Sequence, residues 1–319
     1  MKILQVMAPD EFEVREVPTP TPGPGEVLMR VEAVNTCVQW DLHLRHNEPM
    51  FVGHQFTYPY TPGQPGHEAT GHVEAVGEGV TDLAPGDRIC VWRDQGHDVW
   101  GCYAQFVILK AGNAIKIPEG LPAEAWASIE LAMCLGAPFK GLRQVGAIEG
   151  KVFGVTGLGP AGLIAVQMAK AEGAAEVIGF DLLPERRDFA LTLGADAAYD
   201  PTAVSAEEFP LRGRLHAGID CHGARASVQW LMDHTADAVA LFGVQREDYT
   251  YALRHAGLTV LGYKGHFYES AEYARDLIVA GKLNMAPLVT VTLPLERYGE
   301  GIDLLDQRKA LKVCYKPWE

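Results

Sequence analysis

Lys151-Val152-Phe153-Gly154-Val155-Thr156-Gly157-Leu158-Gly159-Pro160-Ala161-Gly162 is the stretch on which the fold of this chain turns. From residue 152 to 169 the chain is apolar enough to suggest a membrane span. The Gly157–Gly162 interruption breaks that run into a strand, a turn and a helix. A second strand follows over 176–180 and ends at Asp181, 19 residues after Gly162. Strand, glycine turn, helix and a distal acid form the context that makes such a turn a dinucleotide site. Gly157 permits the tight turn, Gly159 lets a pyrophosphate approach the backbone, and Gly162 allows close helix–strand packing. Pro160 and Ala161 open the helix, whose N-terminal N–H groups face the phosphates.

Asp181 is expected to accept hydrogen bonds from an adenosine ribose. A carboxylate there repels a 2′-phosphate, so NAD(H) is favoured over NADP(H). Arg186 and Arg187 lie close enough to contact the same end of the cofactor. Their alternative role is an exposed first helical turn.

Working outward, strands are expected at 197–199, 217–221, 238–242 and 259–262, with a helix over 185–193. Alternating strands and helices at this spacing imply a doubly wound parallel sheet, a Rossmann domain over 146–268. The chain before it reads differently. Residues 12–17 and 27–34 alternate with period two, and further strands are expected at 87–92, 101–108 and 115–118, as in antiparallel β structure. A helical pattern runs from 122 to 142. Helices at 269–280 and 295–305 and strands at 289–292 and 311–315 are expected to return to the first domain. The domains are therefore 1–145 with 269–319, and 146–268.

A chain of 319 residues is long enough for two cores. Its net charge of −14 argues against nucleic acid or an anionic membrane as partner. The six cysteines (37, 90, 102, 134, 221 and 314) include no Cys-x-x-Cys pair, so neither a disulfide framework nor a structural zinc lobe is expected. The N-terminus reads as a strand rather than a signal peptide. These features suit a soluble cytoplasmic protein.

The second informative stretch is Gly66-His67-Glu68, followed by Gly71, Gly77, Val80 and the turn Pro85-Gly86-Asp87. His67 is a potential metal ligand and Glu68 a charged neighbour able to enter its shell. This spacing resembles the zinc signature of the medium-chain dehydrogenase/reductase family. The resemblance implies an α/β protein with a β-rich, GroES-like catalytic domain, the Rossmann domain, and one catalytic zinc without a structural one. It implies a hydride passed between an alcohol, polyol or sugar hydroxyl (or its ketone or aldehyde) and NAD(H), in a homodimer or homotetramer.

A catalytic zinc takes three protein ligands and leaves one position open. The resemblance points to Cys37 and His67, with Glu68 as a transient or neighbouring ligand. For the third it points to Glu130, because Ile129-Glu130-Leu131-Ala132 resembles the site of a glutamate ligand in polyol-type members; Leu131 stands where a proline usually follows. Cys134, one helical turn on, is the competing ligand. Zinc would polarise an alcohol oxygen and lower its pKa, so that hydride can leave for the nicotinamide.

By the same resemblance, Asp41 orients His67 through its second ring nitrogen. Asp41-Leu42-His43 resembles the family's Asp-x-His, making His43 the general base that ends a proton relay. Lys312 is expected near the cofactor phosphates. Two departures stand out: Cys37-x-x-x-Asp41 is one residue longer than usual, and Trp40 occupies the position of a proton-passing Ser or Thr. Thr36 or water would have to substitute. The loop over 44–65, with Phe51, Phe56, Tyr58 and Tyr60, is a substrate wall or an ordered insertion. Trp40, Trp92 and Trp100 would suit stacking on a sugar face. A zinc-free quinone or enone reductase of the same fold, and a non-catalytic redox sensor, are the competing functions.

Overall fold

The computed structural model describes residues 1–211 and 213–319. They form two compact units, Met1–Leu131 with Met285–Glu319, and Ala132–Asn284.

In the first unit, seven strands form one sheet in the order Val291–Pro294, Val313–Lys316, Glu26–Asn35, Glu68–Val76, Arg88–Val91 and Ala114–Lys116, with Phe106–Lys110 also paired to Glu26–Asn35. Lys2–Ala8 and Glu11–Glu16 form a separate hairpin. The alternating strand Glu26–Asn35 sends Val27, Met29 and Val31 into a core that also holds Leu4, Val73, Ile89, Val107, Ile302 and Tyr315. The C-terminal return is thus part of the same sheet, with Cys314 opposite Asn35 and Tyr315 opposite Val34.

The second unit has a six-stranded parallel sheet ordered Ala197–Tyr199, Glu176–Phe180, Val152–Thr156, Leu215–Asp220, Thr235–Leu241 and Thr259–Gly262. The order reverses beside Val152–Thr156, so the turn at Gly157 lies at the topological switch point where such sheets bind ligands. Phe153, Val155, Val177 and Ile178 are wholly buried, as expected of strands covered on both faces.

Several boundaries differ from those read in the sequence. The units divide at 131 and 284 rather than at 145 and 268. Phe139 packs on Phe153 of the parallel sheet, with ring centroids 5.8 Å apart. Gly136 lies against Ser270, so the helix Tyr268–Val279 joins the same unit. The single helix expected over 122–142 is two, Ala123–Ala127 and Ile129–Gln144. Asn35 Nδ2 donates to the Glu124 carbonyl (3.2 Å) and to Ser128 Oγ (2.9 Å), giving that carbonyl a partner outside the helix. The strand expected over 101–108 begins only at Phe106. Residues 101–103 instead donate to Pro62, Gly66 and Gly63 carbonyls at 2.9, 2.8 and 3.0 Å, which anchors the turn leading into His67.

Candidate active site

In the first unit, His67 ends the 63–66 turn and Glu68 begins a strand. Cys37 is the N-cap of helix Val38–His46. Cys37, His67 and Glu68 each bring one ligand atom within 4.8 Å of the others. His67 Nδ1 lies 2.8 Å from the Pro65 carbonyl, so Nδ1 carries a proton and Nε2 is the nitrogen a metal would take. Glu130 faces the same nitrogen, with Oε2 3.9 Å from His67 Nε2. Burial alone would lower the basicity of His67. Cys37, by charge and hydrogen bond, and then Glu130 and Asp94 outweigh it and hold the imidazole well above its usual range. A thiol, an imidazole and carboxylates around one point are the donor types zinc takes, and they fit it.

Glu68 is not an unattached carboxylate. Its Oε2 accepts from Lys312 Nζ at 2.6 Å, and both side chains are 1% exposed. Lys312 also donates to the Thr36 carbonyl at 2.5 Å. Lys312, expected near the cofactor phosphates, is held here by the carboxylate it neutralises.

Asp41 likewise does not orient His67. It is 1% exposed and accepts from Tyr298 Oη (2.7 Å) and Tyr103 Oη (2.9 and 3.0 Å), while Pro65 takes the orienting place. Burial pushes the Asp41 carboxyl up to about 6, against the lowering effect of both tyrosines. His43 is half-buried on the same helix, its Nδ1 3.2 Å from the Glu48 carbonyl. Thr36 Oγ1 accepts from Val313 N at 3.0 Å and so serves the sheet.

Trp40 stacks on His97, with ring centroids 3.8 Å apart and planes 25° from parallel. His54 and Phe56 meet Trp40 edge-on, and Tyr60 Oη lies 2.8 Å from His97 Nδ1. The 44–65 loop therefore does build an aromatic group around Trp40. Trp92 is buried and its Nε1 donates to the Gly112 carbonyl at 2.9 Å, which suits core packing rather than stacking on a sugar face.

Asp94 and His97 were not singled out in the sequence, although Asp-x-x-His in a tryptophan-rich segment was the available signal. Burial would raise the Asp94 carboxyl, but the close approach of His97 and the charge of His67 hold it below the usual range.

In the second unit, Gly157 has φ +81° and follows strand Val152–Thr156, and Gly159 caps helix Pro160–Ala171 with Pro160 at its first position. Ala161 follows, and a Cβ on Gly162 would stand 2.0 Å from the Gly157 carbonyl oxygen. Asp181 Oδ2 accepts from Leu158 N at 2.8 Å and Oδ1 from Leu183 N at 2.9 Å, which fixes the acid beside the glycine turn. Arg186 is half-buried in the first turn of helix Pro184–Thr192, and Arg187 donates to the Asp181 and Leu182 carbonyls. Asp220, also missed, is fully buried and binds Thr156 Oγ1, Ser227 Oγ and Gly223 N at 2.8, 2.5 and 2.7 Å. Cys134 is buried in this unit, where its Sγ accepts from Tyr263 Oη at 3.2 Å.

Residues 23–119 match the alcohol dehydrogenase GroES-like domain, and residues 160–278 the zinc-binding dehydrogenase domain. Human sorbitol dehydrogenase is 30% identical across 98% of this chain and 95% of its own length. The chain belongs to the zinc-type medium-chain dehydrogenase/reductase family. L-threonine 3-dehydrogenase of Thermococcus kodakarensis is 32% identical, covering 96% of this chain and 94% of that one. Galactitol-1-phosphate dehydrogenase of Escherichia coli shares the fold, with a TM-score of 0.85 at 24% identity over 99% of this chain and all of the other. Among the described residues, no helix is long and apolar enough to cross a membrane.

Proposed function

We propose that this chain is a zinc-dependent oxidoreductase that exchanges a hydride between NAD(H) and the hydroxyl carbon of a small alcohol, polyol or sugar. The observation that carries the reading is the approach of Cys37, His67 and Glu68 within 4.8 Å, with Glu130 beside the same imidazole nitrogen. Cys37, His67 and Glu130 are the proposed zinc ligands. Glu68 is tied to Lys312 and sits at the edge of that shell. Zinc held there would polarise the substrate oxygen as a Lewis acid. The substrate carbon gives up its hydride to the cofactor, and the hydroxyl proton leaves to a base. His43 is the proposed base, and Trp40 marks a proton path without the usual side-chain hydroxyl.

Asp181 at the glycine turn supports NAD over NADP, since its carboxylate would repel a 2′-phosphate, and Arg187, one of the two nearby guanidiniums, is committed to backbone carbonyls. Trp40 and Phe56 suit the faces of a polyol or sugar. We also propose a cytoplasmic homodimer or homotetramer with a single zinc per chain.

The test is fluorescence titration with NADH and NADPH, followed by a turnover panel of polyols, simple alcohols and the matching ketones. Tighter NADH binding with NAD-linked polyol or alcohol oxidation is the expected result. Turnover confined to quinones or enones would favour a reductase, and cofactor binding without any turnover would favour a sensor.

A further inference from the structure

The segment 92–101 carries a second donor set that shares His67. His67, Asp94 and His97 each place one ligand atom within 4.8 Å of the others. Both imidazoles have their Nδ1 engaged, His67 with the Pro65 carbonyl and His97 with Tyr60 Oη, each at 2.8 Å. A partner on that nitrogen fixes the ring plane and leaves Nε2 for a metal. His97 Nε2 is buried and has no hydrogen-bond partner. It lies 3.2 Å from Asp94 Oδ2 but out of line for a hydrogen bond. Two donors on one tetrahedral ion at about 2.0–2.1 Å stand about 3.3 Å apart, so the spacing suits a shared cation better than a direct bond. Asp94 Oδ1 is braced by Gly96 N at 2.9 Å, and the His97 ring is held against Trp40. A small cavity adjoins the group, lined by Gln64, His67, Asp94, Trp100 and Cys102.

We propose that His67, Asp94 and His97 form a second position for a divalent first-row ion such as Zn²⁺ or Co²⁺, used in place of the Cys37 position. Two imidazoles and one carboxylate suit such ions without a thiolate. His67 has one nitrogen to give, so the two positions exclude each other and the chain holds one ion in total. The inference does not depend on the reaction proposed above.

The test uses the full chain, stripped with a chelator and titrated with Co²⁺. Metal content and the absorption spectrum are the readouts, with circular dichroism to confirm folding. Wild type should take one Co²⁺ per chain with a thiolate-to-cobalt charge-transfer band. Cys37→Ser should still take one Co²⁺, without that band, and Cys37→Ser/His97→Asn should bind at least tenfold more weakly. Cys37→Ala serves in the same way should Cys37→Ser misfold. A folded Cys37 variant that binds no Co²⁺, or a double variant that binds as tightly as the single one, overturns the proposal.

Discussion

Replacing Lys312 by Met tests the buried pair that controls Glu68. Both partners are 1% exposed and 2.6 Å apart, so the substitution strands a carboxylate where water cannot reach it. Stranding one member of a buried pair costs about 3–5 kcal/mol. The Thr36 carbonyl loses its donor as well, adding about 1–3 kcal/mol. For a unit of this size each kcal/mol moves the melting midpoint about 2–4 °C, so the first unit should melt at least about 8 °C lower. Scanning calorimetry of the metal-free proteins is the assay, because metal binding would add its own stabilisation. Lys312→Met/Glu68→Gln removes both charges and should recover at least half of the loss. A single variant melting within about 2 °C of wild type, against the figure above, would refute the reasoning.

Asp41 gives a pH-dependent prediction. Its folded carboxyl titrates near 6 against 3.8 unfolded, so the folded state binds the proton more tightly. Stability is present below about 4 and lost as pH rises through 6. Relative to Asp41→Asn, wild type should lose about 2.4 kcal/mol between pH 4 and 7 in urea unfolding; a difference flat with pH would contradict it. In the glycine turn, Gly162→Ala forces a Cβ to within 2.0 Å of the Gly157 carbonyl oxygen. NADH affinity should fall at least tenfold by fluorescence while metal content stays the same; unchanged affinity would remove Gly162 from the site. Glu130→Ala should lose zinc by elemental analysis whereas Cys134→Ala keeps it, and the reverse would exchange their roles.

The features legible in the sequence were those written locally. The turn at Gly157–Gly162 has its strand, helix and acid within thirty residues, and the alternating strands of the first unit carry their own period. Helix Val38–His46 has no such signature. It is short, rich in polar and aromatic residues, and buries only Asp41 and Leu44, with Asn47 closing it in the left-handed region. The partners of Asp41 lie 62 and 257 residues away, so no spacing could assign it to tyrosines rather than to His67. Lys312 is 244 residues from Glu68 and raises the same difficulty. Asp94 and His97 reach His67 because residues 101–103 dock on the 62–66 turn, a long-range pairing invisible to local pattern. Where sequence and structure part company, the cause is burial: the Asp41 carboxylate expected on a histidine is paired with tyrosines inside the first unit instead.

The most direct test of the account is NAD reduction by a polyol or alcohol substrate, measured on one preparation before chelation, after it, and after adding zinc back. Turnover should vanish with the metal and return with it, while NADH binding persists in all three states. Undiminished turnover by the metal-free protein would contradict the assignment of catalysis to a zinc held by Cys37, His67 and Glu130.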